Sequence, residues 1–209
     1  PGRHARLHGQ RGSRGRGDRR RRQHVGIGTR AEERNGEAAA GLARKRGVLE
    51  PLQTASTLRG QIAELQTILR HHGHPPVALI GHSWGAMLSF VFAAQSPSLV
   101  KKLILVSSGV FEDKYAERIT ETRLSRLTEE EVDTVCSLSR ALDGPDTTDK
   151  NRLFSELGSR LSRADSFDPL PEESEIIQCQ YDIYRSVWED AQELRRSGRL
   201  LALGRQIRC

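Results

Sequence analysis

The sequence predicts an α/β protein with a parallel sheet, and two observations support that prediction. Val77 to Ile80 is a short, entirely apolar run, which is typical of a strand buried on both faces. Val100 to Ser107 is interpreted as a second buried strand, and an apolar helical segment from about Gly85 to Gln95 separates the two. Because one helix joins these two strands, we expect a right-handed crossover between parallel neighbours.

The first 50 residues differ in charge from the rest of the 209-residue chain. They carry 14 Lys and Arg against five Asp and Glu, whereas the remainder carries 19 against 22. Without helical or strand periodicity, this composition cannot bury enough apolar surface to offset the entropy lost on ordering. We therefore predict a disordered basic arm over residues 1–52. A solvated tail is favoured over an arm that binds nucleic acid, because the stretch lacks aromatic residues for base stacking.

Composition and spacing also predict what the chain does not contain. Val25 to Ala31 superficially fits the glycine pattern of a dinucleotide site, but it follows arginines instead of a strand, so we expect no cofactor. The cysteines at 136, 179 and 209 are far apart and have no histidine at ligand spacing, which favours a reducing, cytoplasmic location and no metal site. No apolar run approaches 18 residues, and we expect neither a membrane span nor a signal peptide.

The chemistry-bearing stretch is Gly81-His82-Ser83-Trp84-Gly85, which fits the pattern G-x-S-x-G. The pattern predicts a nucleophile elbow, in which Ser83 sits at a sharp turn between strand and helix. Side chains two residues before or after the serine would collide with the strand or the helix, so glycine is needed at 81 and 85. The following helix directs its dipole at Ser83, and the N–H of Trp84 is the expected oxyanion donor.

Thr57 to Arg70 precedes the elbow and predicts an amphipathic helix, because its leucines and isoleucine recur at three- and four-residue steps. Gly73 ends it. The histidines at 71, 72 and 74 then fall at the starting end of the strand, well over 10 Å from Ser83, and we interpret them as residues of a solvated helix C-terminus. His82 is interpreted as a local packing or hydrogen-bonding residue.

After Gly109 the apolar runs give way to predicted helices. Thr128 and Glu131 form a capping box that opens a helix to about Leu142, and two further helices are expected over about 148–163 and 173–196. The last helix carries one apolar face, which either packs on other helices or roofs an apolar pocket. That face consists of Ile177, Tyr181, Tyr184 and Trp188.

The elbow, the preceding Val-Ala-Leu-Ile and the following Ser-Pro-Ser-Leu-Val-Lys-Lys-Leu-Ile-Leu-Val-Ser-Ser-Gly resemble the α/β-hydrolase superfamily. The nearest resemblance is to its capped branch of proline iminopeptidase-like and esterase-like members. The resemblance implies a partial α/β-hydrolase core over 53–110, a helical cap over 111–198 and a lead-in to a further strand over 199–209. It also offers a third interpretation of the arm, as a remnant of opening strands in which Leu7-His8-Gly9 supplies a second oxyanion donor.

The implied function is a serine hydrolase that cleaves an ester, an amide or a short peptide through an acyl-enzyme, with Ser83 as nucleophile. Such enzymes need an acid and then a histidine after the serine, yet all seven histidines lie at or before position 82. Glu112 and Asp113 are acidic candidates without a histidine to orient. With only two evident strands, we expect open, aggregation-prone edges and an inactive piece of a larger hydrolase. A non-catalytic binding protein with the same fold is the alternative.

Overall fold

The structure is a computed structural model that describes residues 47–166 and 180–209, the backbone of 23–27, and Leu42 and Arg44. Most of the predicted basic arm, including Leu7-His8-Gly9, lies outside the described residues. So do Ile177 and Cys179.

The described strands form one parallel sheet in the order β2-β1-β3-β4. Strand β1 is Gln23–Ile27, β2 is Gly47–Leu49, β3 is Val77–His82 and β4 is Val100–Val106. The parallel pairing of β3 with β4 confirms that the two strands are parallel neighbours, as predicted from sequence. The expectation of only two strands is wrong, because β1 and β2 lie within the stretch interpreted as an arm. Strand β1 has only five residues and β2 only three, and pairing with neighbouring strands stabilises them.

Helices connect and cover the sheet, and most of them agree with the predicted segments. The segment interpreted as a lead-in to a further strand, residues 199–209, is helical as far as Gln206. The described helices are α1 Leu58–His72, α2 Trp84–Gln95, α3 Ala116–Leu124, α4 Glu129–Asp143, α5 Lys150–Asp165, α6 Tyr181–Arg196 and α7 Arg199–Ala202, with 3-10 turns at Pro97–Leu99, Asp113–Tyr115 and Leu203–Gln206.

The core is centred on β3 and α2. Ten of the 12 residues of α2 are buried, so this helix is apolar on all sides, as expected of a helix enclosed by other elements. Helix α1 packs on it with the face predicted from sequence, and Leu65 and Leu69 are almost fully buried. Val187 and Ala191 of α6 join the same cluster, whereas α4 packs mainly against α5. Helix α6 thus belongs to the main core and also contacts α5.

Strand β4 contradicts the prediction of a buried strand. Among the described residues it pairs only with β3, and Ile104, Leu105 and Val106 expose 40%, 37% and 44% of their surface. The sequence pattern shows that such a strand can be buried, but burial also needs a neighbour on its outer edge. Within the described part of the chain, no strand occupies that edge.

Candidate active site

Ser83 stands at the turn between β3 and α2, where the G-x-S-x-G pattern predicts it. Its backbone has φ 50° and ψ −116°, a conformation that non-glycine residues rarely adopt. Such strain costs about 1–3 kcal/mol and persists only where surrounding contacts enforce it. The residue is exposed, so its hydroxyl is accessible from solvent.

Gly81 makes this turn possible. A β-carbon at this position would overlap the carbonyl oxygen of Gly85 and lie 2.6 Å from the Cα of Ala86. Both obstacles are backbone atoms of α2, which cannot rotate away as a flexible side chain could. The predicted need for glycine at 81 therefore has a direct steric cause, and Gly85, the second residue of α2, is the buried partner in that contact.

The first turn of α2 supplies hydrogen-bond donors beside Ser83. The carbonyl oxygen of Ser83 accepts from the N–H groups of Ala86 at 3.1 Å and Met87 at 3.4 Å. The N–H of Ser83 itself donates to the carbonyl oxygen of Val106 at 3.1 Å. The N–H of Trp84 starts the helix, where α-helical geometry provides no intrahelical acceptor, and the helix dipole favours negative charge at that end.

The turn also lies beside the point where the strand order of the sheet reverses. From β1 the chain moves to β2 on one side and then to β3 on the other, so the order reverses between β1 and β3. In open parallel sheets, ligands bind outside the carboxyl ends of the strands at such a reversal. Ser83 directly follows the carboxyl end of β3, and Ile27 at the end of β1 pairs with Gly81. The turn thus lies at the expected ligand position.

Gln61 on α1 is part of this site, and sequence reasoning missed it. Its side chain is only 1% exposed, and its Oε1 accepts a 2.8 Å hydrogen bond from the indole Nε1 of Trp84. Its Nε2 donates to the carbonyl oxygen of Ala55 at 3.1 Å. The available signal was a glutamine on the face that otherwise carries Leu58, Leu65 and Leu69.

Aromatic rings extend from the turn onto α6. Trp188 meets Trp84 edge to face with centroids 6.2 Å apart, and Tyr184 stacks on Trp188 at 6.1 Å. Phe154 of α5 lies 4.4 Å from the Tyr184 ring. Tyr181 is buried, and its hydroxyl donates to the carbonyl oxygen of Leu142 at 3.4 Å. The predicted face of the last helix therefore packs on both the core and α5.

The described acidic candidates are engaged elsewhere. Asp113 pairs with Arg195 of α6 at 2.9 Å. Glu112 pairs with Lys114 at 3.0 Å, and that hydrogen bond raises the pKa of Lys114. Neither carboxylate is held by a histidine among the described residues.

The described histidines do not assemble around Ser83 either. His71 and His72 lie in the last turn of α1, as predicted, and the Nδ1 of His71 lies 2.8 Å from the carbonyl oxygen of Thr67. His82 is exposed and pairs through its backbone with Val106.

Within ranges 47–166 and 180–209, no three side chains of His, Cys, Asp or Glu cluster as metal ligands would. Among the helices that the structure describes, none has both the length and the apolarity to cross a bilayer.

The chain is similar in fold to known proteins. The profile of a family described as alpha/beta hydrolase fold matches residues 38–178. A candidate lipase from Acinetobacter baumannii superposes with a TM-score of 0.51 at 15% identity, over 91% of this chain and 65% of that protein. Cfl2 from Burkholderia cenocepacia gives 0.45 at 17% identity, over 90% and 70% of the two chains. A probable hydrolytic enzyme from Pseudomonas aeruginosa gives 0.41 at 18%, over 90% and 56%.

The likeness to the Acinetobacter structure concerns the fold alone, and the chain spans less than two thirds of that protein's length. A search of curated proteins found no match.

Proposed function

The chain belongs to the alpha/beta hydrolase fold family, and from that premise we propose that it acts as a serine hydrolase with Ser83 as the nucleophile. The observation that supports this role most strongly is the exposed, positive-φ backbone of Ser83 between β3 and α2. A hydroxyl held there projects beyond the carboxyl ends of the strands, where a carbonyl substrate can approach it.

In the proposed reaction, the Oγ of Ser83 attacks the carbonyl carbon of an ester or amide while a base removes its proton. The electron pair of the carbonyl bond moves to oxygen, and the N–H of Trp84 stabilises the oxyanion with help from the α2 dipole. Collapse of this intermediate expels the alcohol or amine, which takes the proton from the base. Water then hydrolyses the acyl-enzyme and restores the free hydroxyl.

We further propose that the acid and histidine of the triad lie outside these 209 residues. All seven histidines are at or before position 82, and those at 71 and 72 lie at the opposite end of β3 from Ser83. At about 3.3 Å per residue, the six residues of β3 separate the two ends by roughly 16 Å. His82 is adjacent to the nucleophile along the chain, and its side chain is exposed.

The substrate is proposed as a small ester, an amide or a short peptide, in line with a capped, proline iminopeptidase-like or esterase-like enzyme. Helices α3 to α6 would belong to the cap over residues 111–198. The aromatic rings of Tyr184 and Trp188 on α6 suit an apolar acyl or side-chain group. A reducing, cytoplasmic location is proposed from the free, exposed thiols of Cys136 and Cys209.

A fluorophosphonate probe tests the nucleophile. We expect slow labelling of this chain, acceleration by added imidazole as a substitute base, and faster labelling of a longer form that includes a histidine. Ser83→Ala should abolish labelling in every case. Ser107→Ala is the matched control, because Ser107 is also exposed, also has a positive φ of 45°, and directly follows the neighbouring strand. Labelling that survives Ser83→Ala, or depends on Ser107, would refute the proposal.

The absence of any histidine after position 82 supports a second candidate, a non-catalytic binding protein with this fold. The two candidates predict different results when imidazole is added and when a longer form that includes a histidine is labelled, since only the hydrolase should then show faster labelling at Ser83. If neither produces Ser83-dependent labelling while a small ester or peptide still binds, the binding protein is favoured.

A further inference from the structure

Gln61 is an unusual residue for its position on α1. Neighbouring positions of the same face are occupied by leucines, and the side chain of Gln61 is as completely buried as theirs. A buried amide is unfavourable unless its polar atoms are paired, so an apolar residue would be the simpler choice if packing alone mattered. Both polar atoms of Gln61 are in fact paired, and the partner of Oε1 is Trp84, the residue directly after Ser83.

The indole of Trp84 is held from two directions. Gln61 accepts its N–H on the α1 side, and Trp188 contacts it edge to face from α6. With both contacts in place, the ring cannot change rotamer without breaking a buried hydrogen bond. Because the ring is joined to its own backbone through two torsions, fixing the indole also restrains the Trp84 N–H at the start of α2.

Helix α1 is in turn secured to α6. The Oδ2 of Asp190 accepts a 2.9 Å hydrogen bond from the N–H of Leu58, the first residue of α1. Gln61 lies one turn further along the same helix. Helix α6 therefore acts on Trp84 directly through Trp188 and indirectly through Asp190, α1 and Gln61.

We propose that Gln61 is a positioning residue: its amide fixes the Trp84 indole and thereby aligns the Trp84 backbone N–H with the oxyanion that forms on attack by Ser83. This inference rests on the proposed function for its catalytic consequence, but its structural half can be measured without catalysis. Gln61 touches no reacting atom.

The test compares Gln61→Met with Gln66→Met in the complete chain. Methionine keeps the length of glutamine and removes its polar atoms. Gln66 is the matched control because it lies on the same helix, is half-buried and donates to the Oγ of Ser96 at 3.5 Å, away from Ser83. Two readouts are needed. The first is NMR of Trp84, namely hydrogen exchange at the indole N–H and the chemical shift of the backbone amide. The second is the rate of Ser83 labelling by fluorophosphonate in the form of the protein that labels fastest.

For Gln61→Met we expect at least tenfold faster exchange at the Trp84 indole N–H, which loses its buried acceptor, and a shifted resonance of the Trp84 backbone amide. Labelling should be roughly tenfold slower, because a misdirected donor loses part of its transition-state stabilisation. Gln66→Met should change neither. Trp84→Phe removes the indole donor and should slow labelling similarly, and adding Gln61→Met to Trp84→Phe should cause little further loss. This second variant also keeps the test decisive if Gln61→Met fails to fold.

The outcomes separate the two proposals. If the wild-type protein labels at Ser83 and Gln61→Met labels at the same rate, Gln61 is not a positioning residue although the hydrolase stands. If no form labels at Ser83, the hydrolase falls, and the exchange data still decide the structural half. If the Trp84 indole N–H exchanges at the wild-type rate in Gln61→Met, the inference is overturned in either case.

Discussion

The N–H of Ser83 donates to the carbonyl oxygen of Val106 across a distance of 3.1 Å, and this bond joins the strained turn to the end of β4. His82 and Val106 are the last paired residues of the two strands. The residue that follows each strand, Ser83 or Ser107, has a positive φ. The sheet therefore restrains Ser83 on one side while Trp84 begins α2 on the other. Strain at the turn is sustained by contacts on both sides.

Gly81→Ala should destabilise the fold by about 2–4 kcal/mol, because the new methyl group would overlap the backbone of Gly85 and Ala86. Denaturant unfolding followed by circular dichroism measures the effect. The control is Gly158→Ala in α5, where a β-carbon would meet no heavy atom within 4 Å. Alanine there should stabilise the helix by roughly 0.5–1 kcal/mol. Equal effects at the two glycines would show that the turn does not require Gly81.

The features that could be predicted from sequence are those fixed by neighbouring residues. The strand-turn-helix around Ser83 depends on glycines two residues away, and the capping box at Thr128 is equally local. Gln61 and Trp84 are 23 residues apart, and Asp190 and Leu58 are 132 apart, so no local pattern contains either contact. The burial predicted for β4 was wrong, because a strand's own sequence does not state whether its outer edge has a neighbour. The open edge expected from the small number of strands is present among the described residues.

Asp190→Ala should lower stability by about 0.5–2 kcal/mol, because it removes the acceptor for the first N–H of α1. The loss should appear as a lower denaturant midpoint with an unchanged slope. Gln192→Ala serves as control, since it changes a polar residue of the same helix only two positions away. If Asp190→Ala and Gln192→Ala have the same denaturant midpoint, the hydrogen bond from Leu58 to Asp190 does not contribute to stability.

Ile104→Lys should reduce self-association of the chain. Ile104, Leu105 and Val106 are exposed on β4, whose outer edge lacks a strand among the described residues, and such edges template pairing with other chains. A lysine there adds charge that opposes edge-to-edge contact. Light scattering at increasing protein concentration measures the change. Leu201→Lys is the control, because Leu201 is 53% exposed but lies on α7 and not on a strand. If both variants reduce self-association equally, the added charge acts through general solubility and not through the edge of β4.

The carboxylate of Glu131 should make the stability of α4 depend on pH in acid. Its carboxylate accepts from the Thr128 N–H at 2.9 Å and lies 3.4 Å from Arg163, and these interactions, led by the Thr128 hydrogen bond, hold its pKa below the ordinary value of 4.5. A carboxyl whose folded-state pKa is depressed contributes stability in full above its unfolded pKa, and that contribution is lost as pH falls through the folded value.

Glu131→Gln retains an oxygen acceptor for Thr128 but cannot titrate. We therefore expect the stability advantage of the wild-type protein over Glu131→Gln to be constant near neutral pH and to shrink as pH falls below about 4.5. Urea unfolding of both proteins across that range measures it, with Glu130→Gln as the control for a neighbouring exposed carboxylate in the same turn. An advantage that stays constant in acid, or that shrinks equally for Glu130→Gln, would mean that the capping box does not titrate with folding.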